Sequence, residues 1–193
     1  MIRWCAIGDS FTYLNDHPDE TNHYVTKGYL SRTLDSLRAH GLDAELTNIG
    51  INGSTTRDWL TAPLVLADFY TILLGTNDWH NGIPLGTEED FSAARPGTIL
   101  GNLSHLIGRI RALSPEAKLL VMNPIERTDF VYLFDPFNNA PGSYAPEHGQ
   151  KLSDVAEAIY VTCARHKIPA LDLHKLCGVT PENAVRFKRV RTP

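Results

Sequence analysis

Five short strand-like runs, most of them apolar, alternate with helix-patterned segments along this chain, and that alternation restricts the fold more than any other feature. The runs are Ile2 to Ile7, Asp43 to Ile49, Ala67 to Leu74, Lys118 to Met122 and Ile168 to Leu173. Tyr24 to His40 carries Tyr29, Leu30, Thr33, Leu34 and Leu37 at helical spacing, with Gly41 as its stop. Thr98 to Leu113 places Ile99, Leu103, Leu106, Ile107 and Ile110 on one stripe, and Leu152 to His166 reads as a further helix. Thr56 to Leu64 holds one or two helical turns, and Gly82 to Pro96 reads as a loop. Strands separated by helices predict a parallel sheet wrapped on both faces, a single-domain α/β sandwich over residues 1–193.

Bulk composition narrows the function classes. A chain of 193 residues that is 42% hydrophobic and 21% charged is expected to be one globular domain with a sizeable core. Its net charge of -4 gives no footprint for nucleic acid or an anionic membrane. No apolar run approaches the roughly 20 residues that span a bilayer, and no leader pattern precedes the first run. The expected compartment is cytoplasmic, or secreted or periplasmic if a leader is removed. Cys5, Cys163 and Cys177 follow no metal-ligand spacing, and Cys5 reads as a small core residue. Asp16, His17, Asp19, Glu20 and His23 fit no metal motif either, so no metal and no cofactor are expected.

The chemistry concentrates where three of the runs end. Gly8-Asp9-Ser10 closes the first. Asn48-Ile49-Gly50-Ile51-Asn52-Gly53-Ser54-Thr55 closes the second, and Gly75-Thr76-Asn77-Asp78 the third. Open α/β sheets place ligands along this carboxyl edge. Ser10 is a weak nucleophile until a base takes its proton. Acyl cleavage creates an oxyanion, which the Ser10 and Gly53 N–H groups and the Asn77 amide can meet. Asp9 is expected to fix the turn by bonding nearby backbone. Each piece also has a plainer use: Gly50 and Gly53 can shape a turn, and Asn77-Asp78 can cap a helix.

Taken together and in order, the three segments resemble the SGNH (GDSL-type) hydrolases. The first block of that family matches Gly8-Asp9-Ser10, the second Gly50-Ile51-Asn52-Gly53 and the third Gly75-Thr76-Asn77-Asp78. The resemblance implies a flavodoxin-like three-layer sandwich. It implies Ser10 as nucleophile, with the Ser10 and Gly53 N–H groups and the Asn77 amide as oxyanion hole. Asp78 falls in the third block as a supporting residue. One departure stands out: the family's last block is Asp-x-x-His after the fifth strand, and no such pair follows Ile168. The sequence is expected to stop shortly before that block. Asp172-Leu173-His174 has a different spacing; on an extended strand both side chains share one face, which makes Asp172 and His174 the fallback acid–base pair.

The expected activity is therefore hydrolysis of a small-molecule ester through an acyl-enzyme, on short acyl groups such as acetyl esters of a carbohydrate. Trp79 can stack on a sugar ring or pack on the loop after it. The aromatic, proline-punctuated stretch Glu126 to Pro146 can wall a pocket or cap the core. A lysophospholipase or thioesterase on longer chains is the alternative within enzymes. A catalytically silent binding module is the alternative outside them. A nucleotide or flavin site is disfavoured, because the first turn lacks Gly-x-Gly-x-x-Gly and any Walker-type Gly-Lys-Ser/Thr. His80, His148 and the basic end Arg186, Lys188, Arg189 and Arg191 rank below these residues.

Overall fold

The computed structural model describes residues 1–23, 25–126, 150–180 and 183. Five strands form one sheet: β1 Ile2–Gly8, β2 Ala44–Asn48, β3 Phe69–Leu73, β4 Lys118–Met122 and β5 Ala170–Leu171. Their order is β2-β1-β3-β4-β5, and every neighbouring pair is parallel. β1 is flanked on both sides and buried from Trp4 onward, so its sequence is a continuous apolar run. Edge strand β2 alternates in exposure instead.

Side chains alternate across the sheet and divide the core in two. From β1, Cys5 and Ile7 face a large cluster holding Tyr70, Ile72, Leu103 and Ile159. Helices α5 (Ile99–Leu113) and α6 (Leu152–Arg165) cover that face. Trp4 and Ala6 face the other way, against Leu30, Leu34 and Leu37 of α2 (Tyr29–Ala39). Among the described residues the result is three layers: α2, the sheet, and α5 with α6.

Several boundaries differ from the sequence expectation, each for a local reason. Helix α2 begins at Tyr29 after an extended Gly28, which packs so close to Asn15 that a Cβ would lie 2.5 Å from Asn15 Oδ1. That same oxygen accepts the Ser31 N–H and so caps the helix from outside. The expected loop Gly82 to Pro96 contains a short helix, α4 (Glu88–Ser92), started by a reciprocal capping box between Thr87 and Asp90. The segment Thr56 to Leu64 yields one 3-10 turn, Asp58–Leu60. The fifth strand is two residues long rather than six. Asp172 ends it by accepting the Lys175 N–H and starting α7 (Leu173–Leu176).

Candidate active site

The strand order reverses between β1 and β3, although all strands stay parallel, and such a switch point opens a crevice at the carboxyl ends. Ser10 leaves β1 there as the first residue of α1 (Ser10–Tyr13), while the third block leaves β3 as α3 (Thr76–His80). The second block leaves β2 on the opposite flank of β1. Asp9 is buried, and its carboxylate accepts the Phe11 N–H at 3.0 Å, fixing the turn that presents Ser10. Ser10 itself is half-buried. Among the described residues, neither the Ser10 nor the Gly53 N–H meets a protein acceptor.

Close contacts lock the second block against the first. A Cβ on Gly50 would lie 2.6 Å from the Tyr13 nitrogen and 2.9 Å from Thr12 Cβ, so only glycine fits beside α1. Gly53 has a different reason: its φ is +74°, and a Cβ there would point into open space. Backbone bonds continue the seam, with the Ile51 N–H donating to the Gly8 carbonyl at 3.0 Å.

Ser54 joins all three blocks. Its hydroxyl donates to the Gly8 carbonyl at 3.2 Å and accepts from Trp59 Nε1 at 3.1 Å. Its own carbonyl accepts one N–H of the Asn77 amide at 2.9 Å. Asn77 Nδ2 has a second hydrogen, so the amide is anchored and still carries a donor.

Behind Asn77 lies Asp78, fully buried. Both carboxylate oxygens accept the Thr56 N–H at 3.0 Å, and Oδ1 accepts the Thr56 hydroxyl at 2.5 Å. Burial pushes the Asp78 carboxyl up to about 6; the Thr56 bonds pull it down, and the Asp58 charge adds to the rise. Asn102 on α5 donates to the same Thr56 hydroxyl at 3.1 Å and accepts the Gly97 N–H at 2.8 Å. Ser54, Thr56 and Asn102 were not among the sequence candidates. The run Ser54-Thr55-Thr56 directly after Gly53 was the available signal.

The fallback pair does not form a dyad. His174 lies on α7 rather than on an extended strand, so alternation no longer aligns it with Asp172. The Asp172 carboxylate accepts from Asn123 Nδ2 at 2.8 Å and from Lys175. Partial burial would raise the Asp172 carboxyl, but these bonds outweigh it and hold the group below its ordinary value. His174 Nδ1 meets the Pro124 carbonyl at 3.1 Å, and Nε2 meets the Glu126 carboxylate at 3.2 Å. Among the described residues, no histidine is hydrogen-bonded to the Ser10 hydroxyl.

Trp79 is buried at 1% exposure, and its Nε1 donates to the Gln150 carbonyl at 2.7 Å, so it is not placed to stack on a sugar. His148, the aromatic stretch after Glu126 and the basic end lie outside the described residues. Among the described residues, no group of three His, Cys, Asp or Glu is placed to hold a metal. No described helix is long and apolar enough to cross a membrane.

Comparison with known proteins bears on the fold and the family. No curated protein matches the chain in sequence. A solved structure described as a possible lipase from Chitinophaga pinensis DSM 2588 is 41% identical, with a TM-score of 0.81 over 90% of this chain and 68% of that one. AlinE4, an SGNH-hydrolase family esterase, shares the fold at 15% identity and a TM-score of 0.57, over 100% of this chain and 86% of its own. A variant of Axe2, an acetyl-xylooligosaccharide esterase from Geobacillus Stearmophilus, shares it at 17% identity and a TM-score of 0.57, over 94% and 82%. The model of the GDSL-like lipase/acylhydrolase family matches residues 6–188. With its three strand-end blocks, its 2-1-3-4-5 sheet and that match, the chain belongs to the GDSL-like lipase/acylhydrolase family, the SGNH hydrolases.

Proposed function

We propose that this chain is a serine ester hydrolase working through an acyl-enzyme. The observation that supports the reading is the bonding of the three strand-end blocks to one another beside a half-buried serine: the Ile51 N–H and the Ser54 hydroxyl reach the Gly8 carbonyl, and the Asn77 amide reaches the Ser54 carbonyl with one N–H to spare. In this reading Ser10 Oγ attacks the acyl carbon and its proton passes to a base. The carbonyl oxygen takes up negative charge among three donors, the Ser10 and Gly53 N–H groups and the Asn77 amide. Collapse expels the alcohol and leaves an ester on Ser10, which water then hydrolyses. A histidine is the base suited to both halves, because it takes the first proton and returns it to the leaving alcohol. His174 would have to release Glu126 or Pro124 to serve.

The substrate class we favour is a short acyl ester, such as an acetyl ester of a carbohydrate or a similar small alcohol. The exposed, polar Asn52 beside Gly53 supports an oxygen-rich alcohol. Phe11, directly after Ser10, and Ile51, in the second block, are each 40% exposed. These two apolar side chains favour the second reading, a longer acyl chain lying along them. Rates on p-nitrophenyl esters of increasing acyl length separate the two. A maximum at acetyl supports the first, and a maximum at eight carbons or more supports the second.

A further inference from the structure

We propose that Thr56, gripped by Asp78 and Asn102, is a positioning residue that sets the Gly53 N–H and the Asn77 amide at their working separation. The proposal rests on the reading above, in which those two groups receive the oxyanion. Gly53 lies in the turn after β2 and Asn77 on α3 after β3, and those two strands are separated in the sheet by β1. Pairing through β1 sets the strand ends, with Gly8 opposite Leu73 and bonded to Ile51 and Ser54, and direct bonds between the two segments fix what lies beyond.

Two sets of bonds do this. Asn77 reaches the Ser54 carbonyl, one residue past Gly53. Asp78, the next residue on α3, takes both the N–H and the hydroxyl of Thr56, three residues past Gly53. The segment between Gly53 and Thr56 is thus fastened twice to consecutive residues of one short helix. Ser54, Thr55 and Thr56 are all buried, which shields these bonds from competing water.

Thr56 is also the point where α5 enters. Its hydroxyl donates to Asp78 and accepts from Asn102, which itself holds the Gly97 N–H. A hydroxyl is required here because one atom must donate and accept at once; valine has the same shape and does neither. An error of an ångström at the donors is expensive for the transition state, so a side chain that touches no substrate can still control the rate.

The test compares Thr56→Val and Thr56→Ser in the full 193-residue chain. The first readout is the NMR spectrum of the Gly53 amide and of the Asn77 side-chain amide, the latter assigned by its loss in Asn77→Ala. The second is kcat and KM on p-nitrophenyl acetate. Thr56→Val is expected to move both amide signals and lower kcat about tenfold or more with KM within about twofold. Thr56→Ser restores the signals and returns kcat to within about threefold of wild type. A folded Thr56→Val with unmoved signals overturns the proposal, whether or not its stability has fallen. If Thr56→Val does not fold, Asn102→Leu removes the outer bond and is read in the same way. If the wild-type chain turns over no ester, the proposed function fails, and the amide signals alone then decide the role of Thr56.

Discussion

Asn77 Nδ2 donates to the Ser54 carbonyl at 2.9 Å, so the third block is tied directly to the residue after Gly53. The bond makes the amide a fixed donor rather than a swinging one. Preorganised donors of this kind cost no reorganisation when charge develops.

Asn77→Ala removes the amide and leaves the Ser54 carbonyl without it. Loss of one oxyanion donor is expected to lower kcat by roughly 10²–10³, with KM little changed. The stability cost is on the order of 1 kcal/mol, that of one lost hydrogen bond. Steady-state kinetics beside a urea unfolding curve check both numbers. An equal loss in KM and none in kcat would assign Asn77 to ground-state binding instead.

Asp78 gives the protein a pH dependence of defined sign. Its carboxyl sits at about 6 when folded, against an ordinary 3.8, because burial disfavours the charge. Between those values the native state holds a proton that the unfolded chain has lost. This contribution is therefore fully present below the unfolded value and is lost as pH rises through about 6. The shift corresponds to about 3 kcal/mol. Asp78→Asn cannot ionise, so its stability relative to wild type is expected to improve by up to that amount from about pH 4 to pH 7. Unfolding free energies of the two proteins across that range make the check; a constant difference contradicts it.

Gly50 and Gly53 sit close together in sequence but answer to different constraints. Gly50→Ala drives a Cβ into the Tyr13 backbone nitrogen, which cannot step aside as a side-chain tip would. It is expected to cost about 1–3 kcal/mol and to displace α1, and Ser10 with it. Gly53→Ala meets no atom, and its cost of about 1 kcal/mol comes from the left-handed backbone alone. Denaturant midpoints are expected to fall further for Gly50→Ala, with activity following the same order.

The sheet was readable because strands buried on both faces leave continuous apolar runs, as β1 does from Trp4 to Ile7. The three site segments were readable because close approach and left-handed turns demand glycine, and Gly50 and Gly53 meet one demand each. The bonds among those segments were not. Thr56 meets Asp78 at a separation of 22 residues and Asn102 at 46, and nothing in local spacing announces either pairing. Asp172-Leu173-His174 misled for a different reason. Alternation read it as strand, but a carboxylate that reaches the N–H three residues on begins a helix. Trp79 reads equally well as a surface ring or a core one; it packs in the large core cluster, and its indole N–H finds the Gln150 carbonyl 71 residues away.

The most direct measurement of the central claim is the site of acylation. The chain is mixed with p-nitrophenyl acetate, stopped in acid within the first turnovers, digested and analysed by mass spectrometry. The account predicts an acetyl group on the peptide at Ser10 and none on the matching peptide of Ser10→Ala. An unmodified Ser10 in wild type, or undiminished ester turnover by Ser10→Ala, would contradict it.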